Sequence, residues 1–221
     1  MSARAPAAAA VVALALSLGG GCTGPAPGPG WKVPRVGDRP PAAQEDGQER
    51  EYQALVARYS DHRELYDRFD TRFFCWATFQ SWTFREARVR RAAGFRRLPA
   101  AEVERLLGEE RAAAAAAHEV FLAAHFPDPR FDDLDRPRGQ WRLALVTPRG
   151  EVAPSKVERI GRSTMDLRSL YPYFDEFWVG FKVSFPRTLQ DGSEVVPEGT
   201  EAVTLRMASA LGNAELQLPA R

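Results

Sequence analysis

FWVGFKVSF, residues 177–185, alternates with a period of two: Phe177, Val179, Phe181, Val183 and Phe185 on one side, Trp178, Gly180, Lys182 and Ser184 on the other. Successive side chains of an extended chain point to opposite faces, so this run predicts a strand with one apolar face. The same pattern recurs on both sides of it. Upstream, Trp141, Leu143 and Leu145 alternate with Arg142 and Ala144. The following TPRG (147–150) has Pro148 second and Gly150 fourth, which suits a type I turn, with EVAPSKVERI (151–160) returning as the partner strand. Downstream, DGS (191–193) marks a turn. EAVTLRMAS (201–209) then sets Val203, Leu205 and Met207 against Thr204 and Arg206, and LGN (211–213) turns into AELQL (214–218). Strands with one wet face joined by short turns argue for an antiparallel sandwich or barrel rather than a parallel sheet.

The region before this is more mixed. YQALVARY (52–59) has Tyr52, Leu55, Val56 and Tyr59 at helical spacing, although it also suits the start of a strand. In TRFFCWATFQSWTF (71–84) the alternation of Phe73, Cys75, Ala77 and Phe79 favours a strand, with a buried helix as the alternative. The opposing set, Phe74, Trp76 and Thr78, predicts burial on both sides. FREARVRRAAGFRR (84–97) is rich in helix formers and breaks at Gly94. The next helix starts near Pro99 and carries Val103, Leu106 and Leu107 as its apolar stripe, with Glu102, Glu104, Glu109 and Glu110 on the wet side. A helical hairpin over about 84–117, inserted between early strands, makes the expected fold mainly β: a sandwich-like α+β domain over residues 49–221. The arginines of the first helix suit an anionic lipid or polysaccharide surface, or pairing with the glutamates of the second; pairing is the expectation.

The N-terminus has a different character. Arg4 is followed by the uncharged run APAAAAVVALALSL (5–18), then Gly19, Gly20, Gly21 and Cys22. A short basic start, an apolar core and small residues at the exit form a secretory signal pattern, too short for a spanning helix. Gly20, Gly21 and Cys22 resemble the cleavage site of bacterial lipoproteins, with one departure: Gly19 stands where that family prefers leucine, and Leu18 is one place further back. The resemblance implies a signal peptide over 1–21 and acylation (palmitate) of Cys22. Thr23, in place of an aspartate, leans towards the outer membrane, facing the periplasm. TGPAPGPGWKVPRVGDRPPAAQEDGQ (23–48) reads as a Pro/Gly-rich tether, with Trp31 its one notable apolar residue.

Without residues 1–21, which hold Arg4 and no acid, 29 basic and 29 acidic residues remain. That balance gives no electrostatic reason to expect nucleic acid. If Cys22 is acylated, Cys75 is left as a lone thiol among aromatics, a small buried hydrophobe rather than a nucleophile. Asp128, Asp132, Asp133 and Asp135 form an acidic loop that suits a hard cation such as calcium. Arg130, Arg136 and Arg138 are interleaved, however, and the spacing matches no EF-hand, so no metal is expected. His62, His118 and His125 match no zinc-protease pattern; His118 and His125 share a strand or lie on separate elements. No nucleophile elbow, phosphate loop or dinucleotide fingerprint occurs. YPYFDEFW (171–178) suits either a binding surface or core packing. These readings favour a non-enzymatic binding or structural module at the cell envelope, without cofactor, engaging an envelope protein or other envelope component. The alternatives are an envelope hydrolase using the 128–135 loop with a histidine, and calcium-dependent adhesion.

Overall fold

Alternation at 73–79, 120–124 and 181–185 gives three strands an apolar face each, and these faces meet the equivalent faces of a second sheet. The computed structural model describes residues 47–68 and 70–221; the expected signal segment, Cys22 and the tether up to residue 46 lie outside the described residues. The order is α1 (Gly47–Tyr59), β1 (Ser60–Asp67), β2 (Asp70–Phe79), α2 (Trp82–Arg96), α3 (Ala100–Ala116), β3 (Ala117–His125), β4 (Arg142–Thr147), β5 (Gly150–Val152), β6 (Lys156–Arg162), α4 (Met165–Leu170), β7 (Val179–Pro186), β8 (Ala202–Ser209) and β9 (Gly212–Pro219). A five-stranded sheet runs β1-β2-β3-β7-β6 and a four-stranded sheet runs β5-β4-β8-β9. All their neighbours are antiparallel. The fold is therefore mainly β and sandwich-like, with the helical hairpin α2–α3 inserted between β2 and β3.

The main core lies between the sheets. Phe73, Cys75, Ala77, Val120, Leu122, Phe181, Val183 and Phe185 from the first sheet pack with Leu145, Val203, Leu205, Met207, Leu216 and Leu218 from the second. A second core covers part of the outer face of the five-stranded sheet, where Tyr52, Val56 and Tyr59 of α1 and Phe84 of α2 join Phe121, Tyr171 and Phe174. Gly180 of β7 makes room there: a Cβ at that position would come within 2.9 Å of the Phe174 ring. At the β1 edge the two sheets are tied together, the Gln217 amide donating to the Asp61 carboxylate at 2.7 Å.

Several expectations need correction. Gly94 does not break α2, which runs on to Arg96; Arg97, at φ +50°, turns the chain instead, and its amide donates to the carbonyls of Ala93 and Gly94. Only Glu151 and Val152 of the expected return strand pair with β4. Pro154 has no amide hydrogen to continue that ladder, and from Lys156 the chain crosses to the other sheet as β6, paired with β7. Phe177 lies before β7 and is 71% exposed instead of joining the apolar face of Phe181, Val183 and Phe185. Glu110 is not on the wet side. It accepts from Arg85 and Arg88, both at 2.6 Å, the inter-helix pairing expected for these arginines. Arg85, 1% exposed, also donates to Glu119 at 2.7 Å and to the Gln80 carbonyl at 2.9 Å. Its guanidinium fastens both helices to β3, and such a buried cation is tolerated because its donors are matched.

Candidate binding face

The antiparallel register aligns aromatic residues in rows across the outer face of the five-stranded sheet. Phe74 on β2 stands opposite Glu64 on β1 and His125 on β3, and Trp178 follows just before β7. The Phe74 ring lies 6.1 Å from His125 and 6.4 Å from Trp178, with interplanar angles of 13° and 20°. In the adjacent row His62 stands opposite Trp76. Their rings stack at 4.5 Å, and Tyr173 stacks on Trp76 at 4.9 Å. Tyr66, 53% exposed, meets Phe74 edge-on at 6.1 Å. Phe74, Trp76, Tyr173, His125 and Trp178 are half-buried, whereas His62, Tyr66 and Phe177 are exposed.

Polar atoms fix this array in place. The Tyr173 hydroxyl bonds the Thr78 hydroxyl, which in turn bonds Ser60 at 2.6 Å. Burial raises the Tyr173 phenol well above its usual range, so the ring presents a neutral hydroxyl. His125 Nδ1 is 3.0 Å from the Phe177 carbonyl. A carbonyl only accepts, so Nδ1 carries the hydrogen, and the bond ties the 177 segment to the end of β3. Tyr66 donates to Glu64 at 2.5 Å, and that bond raises the phenol's pKa. The outcome is a set of flat rings edged by the charge of Glu64, with Asp175 and Glu176 exposed in the adjoining segment, chemistry suited to holding a partner by apolar contact with a polar rim.

The residues singled out in the sequence disperse. Asp128 is held by Arg130 at 2.6 Å, and Asp132 and Asp135 are held by Arg159 at 2.9 and 2.7 Å. These arginines lower the Asp128 and Asp135 carboxyls below their usual range. Asp133 is buried and accepts from the Gln140 amide at 2.8 Å. Among the described residues no group of three or more His, Cys, Asp or Glu side chains is arranged to hold a metal ion. His118 and His125 do share a strand, but at opposite ends and on opposite faces of it, and His62 is on β1. Cys75 is fully buried, and burial pushes its thiol up to about 12, far from a reactive thiolate.

Of YPYFDEFW, Tyr171 and Phe174 pack in the second core while Tyr173 and Trp178 join the face and exposed Phe177 is tied to its edge through its carbonyl, so both readings of that stretch apply to different residues. Burial on both sides of β2 holds for Thr78 alone of the opposing set. Tyr66 was not foreseen as part of a site, and His62 only as a histidine of the hydrolase alternative, because SDHRELYD (60–67) has no apolar run to mark it as a strand. Comparison with family models, with curated proteins and with solved structures finds no match to this chain.

Proposed function

We propose that this chain is an exported lipoprotein, acylated at Cys22 and held at the outer membrane on the periplasmic side, whose β-sandwich domain is a non-enzymatic module that binds an envelope protein. The observation that carries the binding reading is the half-exposed aromatic array of Phe74, Trp76, His125 and Trp178, bordered by exposed Tyr66 and Phe177. Aromatic residues are enriched at the centres of protein interfaces, where a few rings supply most of the affinity, and a charged rim excludes water around them. The anchoring reading rests on residues 1–22 of the sequence, and a tether from residue 23 up to the start of α1 at Gly47 would let the domain meet its partner away from the bilayer.

The test places a photo-crosslinking amino acid at Tyr66, at Phe177 and, as a control on the far helix, at Glu109 of the full chain in intact envelopes. The same protein adduct from both face positions, absent from the control and lost on Trp76→Ala, is the expected result. No adduct, or one shared with Glu109, would overturn the face assignment. Mass analysis of the N-terminal peptide beside Cys22→Ala tests the anchor separately: an unmodified Cys22 in membrane-purified protein rules the lipoprotein out.

A further inference from the structure

At the other end of β3 from the aromatic array, a groove of about 770 Å3 opens between the β2–α2 corner, the end of α3 and the 196–200 segment. Three arginines line it: Arg111 from α3, Arg187 just after β7, and Arg221. None of them is in an ion pair among the described residues. Glu198 is the one acidic side chain in the lining, so the groove carries an excess of positive charge. The Arg111 guanidinium lies 4.9 Å over the Trp82 ring, a contact that orients the cation and leaves its N–H edge available.

His118 supplies a second and independent observation. It lines the groove and is only 7% exposed. Arg187 Nη1 donates to its Nδ1 at 3.1 Å, so the neutral ring carries its hydrogen on Nε2. That Nε2 is buried and has no hydrogen-bond partner among the described residues. Buried donors in folded proteins are nearly always paired. A donor without an acceptor beside a cluster of cations is the arrangement that an oxyanion completes.

We propose that this groove binds a small ligand through a phosphoryl or carboxylate group, gripped by Arg111 and Arg187, with the His118 Nε2–H completing the donor set. Guanidinium forks match both groups, each offering paired oxygens. The volume falls within the range of small-molecule sites, so the ligand has room for more than the anion itself. The site is separate from the aromatic array and does not depend on the lipoprotein reading.

Calorimetric titration of the full chain in detergent, with inorganic phosphate and with citrate as probes, tests the proposal. Saturable binding of either probe is expected, and the tighter of the two assigns the ligand class. Arg111→Gln, at an exposed helical position, should weaken that binding about tenfold or more, the loss of a charge-assisted pair, with the urea midpoint unchanged. Arg187→Lys, which keeps a cation and a donor beside His118, should weaken it less than Arg187→Gln. Arg105→Gln, which removes an arginine paired with Glu102 elsewhere on α3, should leave it unchanged. No saturable binding into the millimolar range, or equal binding by wild type and Arg111→Gln, overturns the proposal.

Discussion

The two faces of the five-stranded sheet carry similar residues and have different fates. On the inner face Phe73, Phe181 and Phe185 are fully buried, because an entire second sheet lies against them. On the outer face the cover is partial. The helices and the 171–174 segment shield Phe121, and they leave Phe74 and Trp76 half-exposed. The difference lies in what packs above each ring. Its teaching is that an aromatic strand face becomes a candidate interface where the covering layer stops.

The largest contrast should be energetic. Phe181→Ala removes a side chain enclosed by both sheets, and we expect a loss of about 3–5 kcal/mol, read from the urea midpoint at constant slope. Phe74→Ala removes a ring already in partial contact with water, for an expected loss of about 1–2 kcal/mol. Equal losses would mean that the outer face is part of the core and would remove the basis for an interface there.

A smaller effect separates the inner face by its charge. His118 is at the end of that face, and burial, with Arg187 and Arg85 nearby, lowers its pKa from 6.5 to about 4. The folded protein therefore keeps the ring neutral while the unfolded chain protonates it. Stability is complete above the unfolded value and is lost as pH falls towards the folded one. Between about pH 7.5 and about pH 5 we expect wild type to lose about 1–2 kcal/mol that His118→Phe does not lose. His118→Phe and wild type with the same pH slope would show that the ring is hydrated in the folded protein, and not buried in the groove wall.

Much of this contrast was legible in the sequence, for reasons particular residues make plain. The alternation of Phe73, Cys75, Ala77 and Phe79, and of Phe181, Val183 and Phe185, identified the inner face because period-two burial leaves a direct trace. The hairpin was legible through its helix formers and Pro99. The strand β1 was not, since an edge strand tied down by Asp61 and paired on one side to β2 needs few apolar residues. The crossing from β5 to β6 was also hidden: VAPSK reads as a strand with an interruption, and only tertiary packing decides which sheet receives it. The aromatic array was half legible. Phe74 and Trp76 announced an apolar outer face, but whether helices would cover it depended on where α1 and α2 dock. The groove was illegible because Arg187, 69 residues beyond His118 in the chain, meets Arg111 and His118 only once β7 pairs with β3.

The smallest expected stability effect gives the most decisive functional comparison. Phe177 is 71% exposed, and its backbone carbonyl, which Phe177→Ala retains, is the atom that holds His125. The ring itself contributes little to folding, so the variant should change stability by no more than about 0.5 kcal/mol. If the array is an interface, losing a peripheral ring should still weaken partner binding measurably, because rings at an interface are desolvated only in the complex. Phe95, also exposed at 57% but on α2 away from the array, provides the matched control. Phe177→Ala should diminish the adduct formed through Tyr66 while Phe95→Ala leaves it intact, with both proteins equally stable to urea. A loss of adduct in both variants would point to general surface hydrophobicity, and a loss in neither would place the partner elsewhere on the domain.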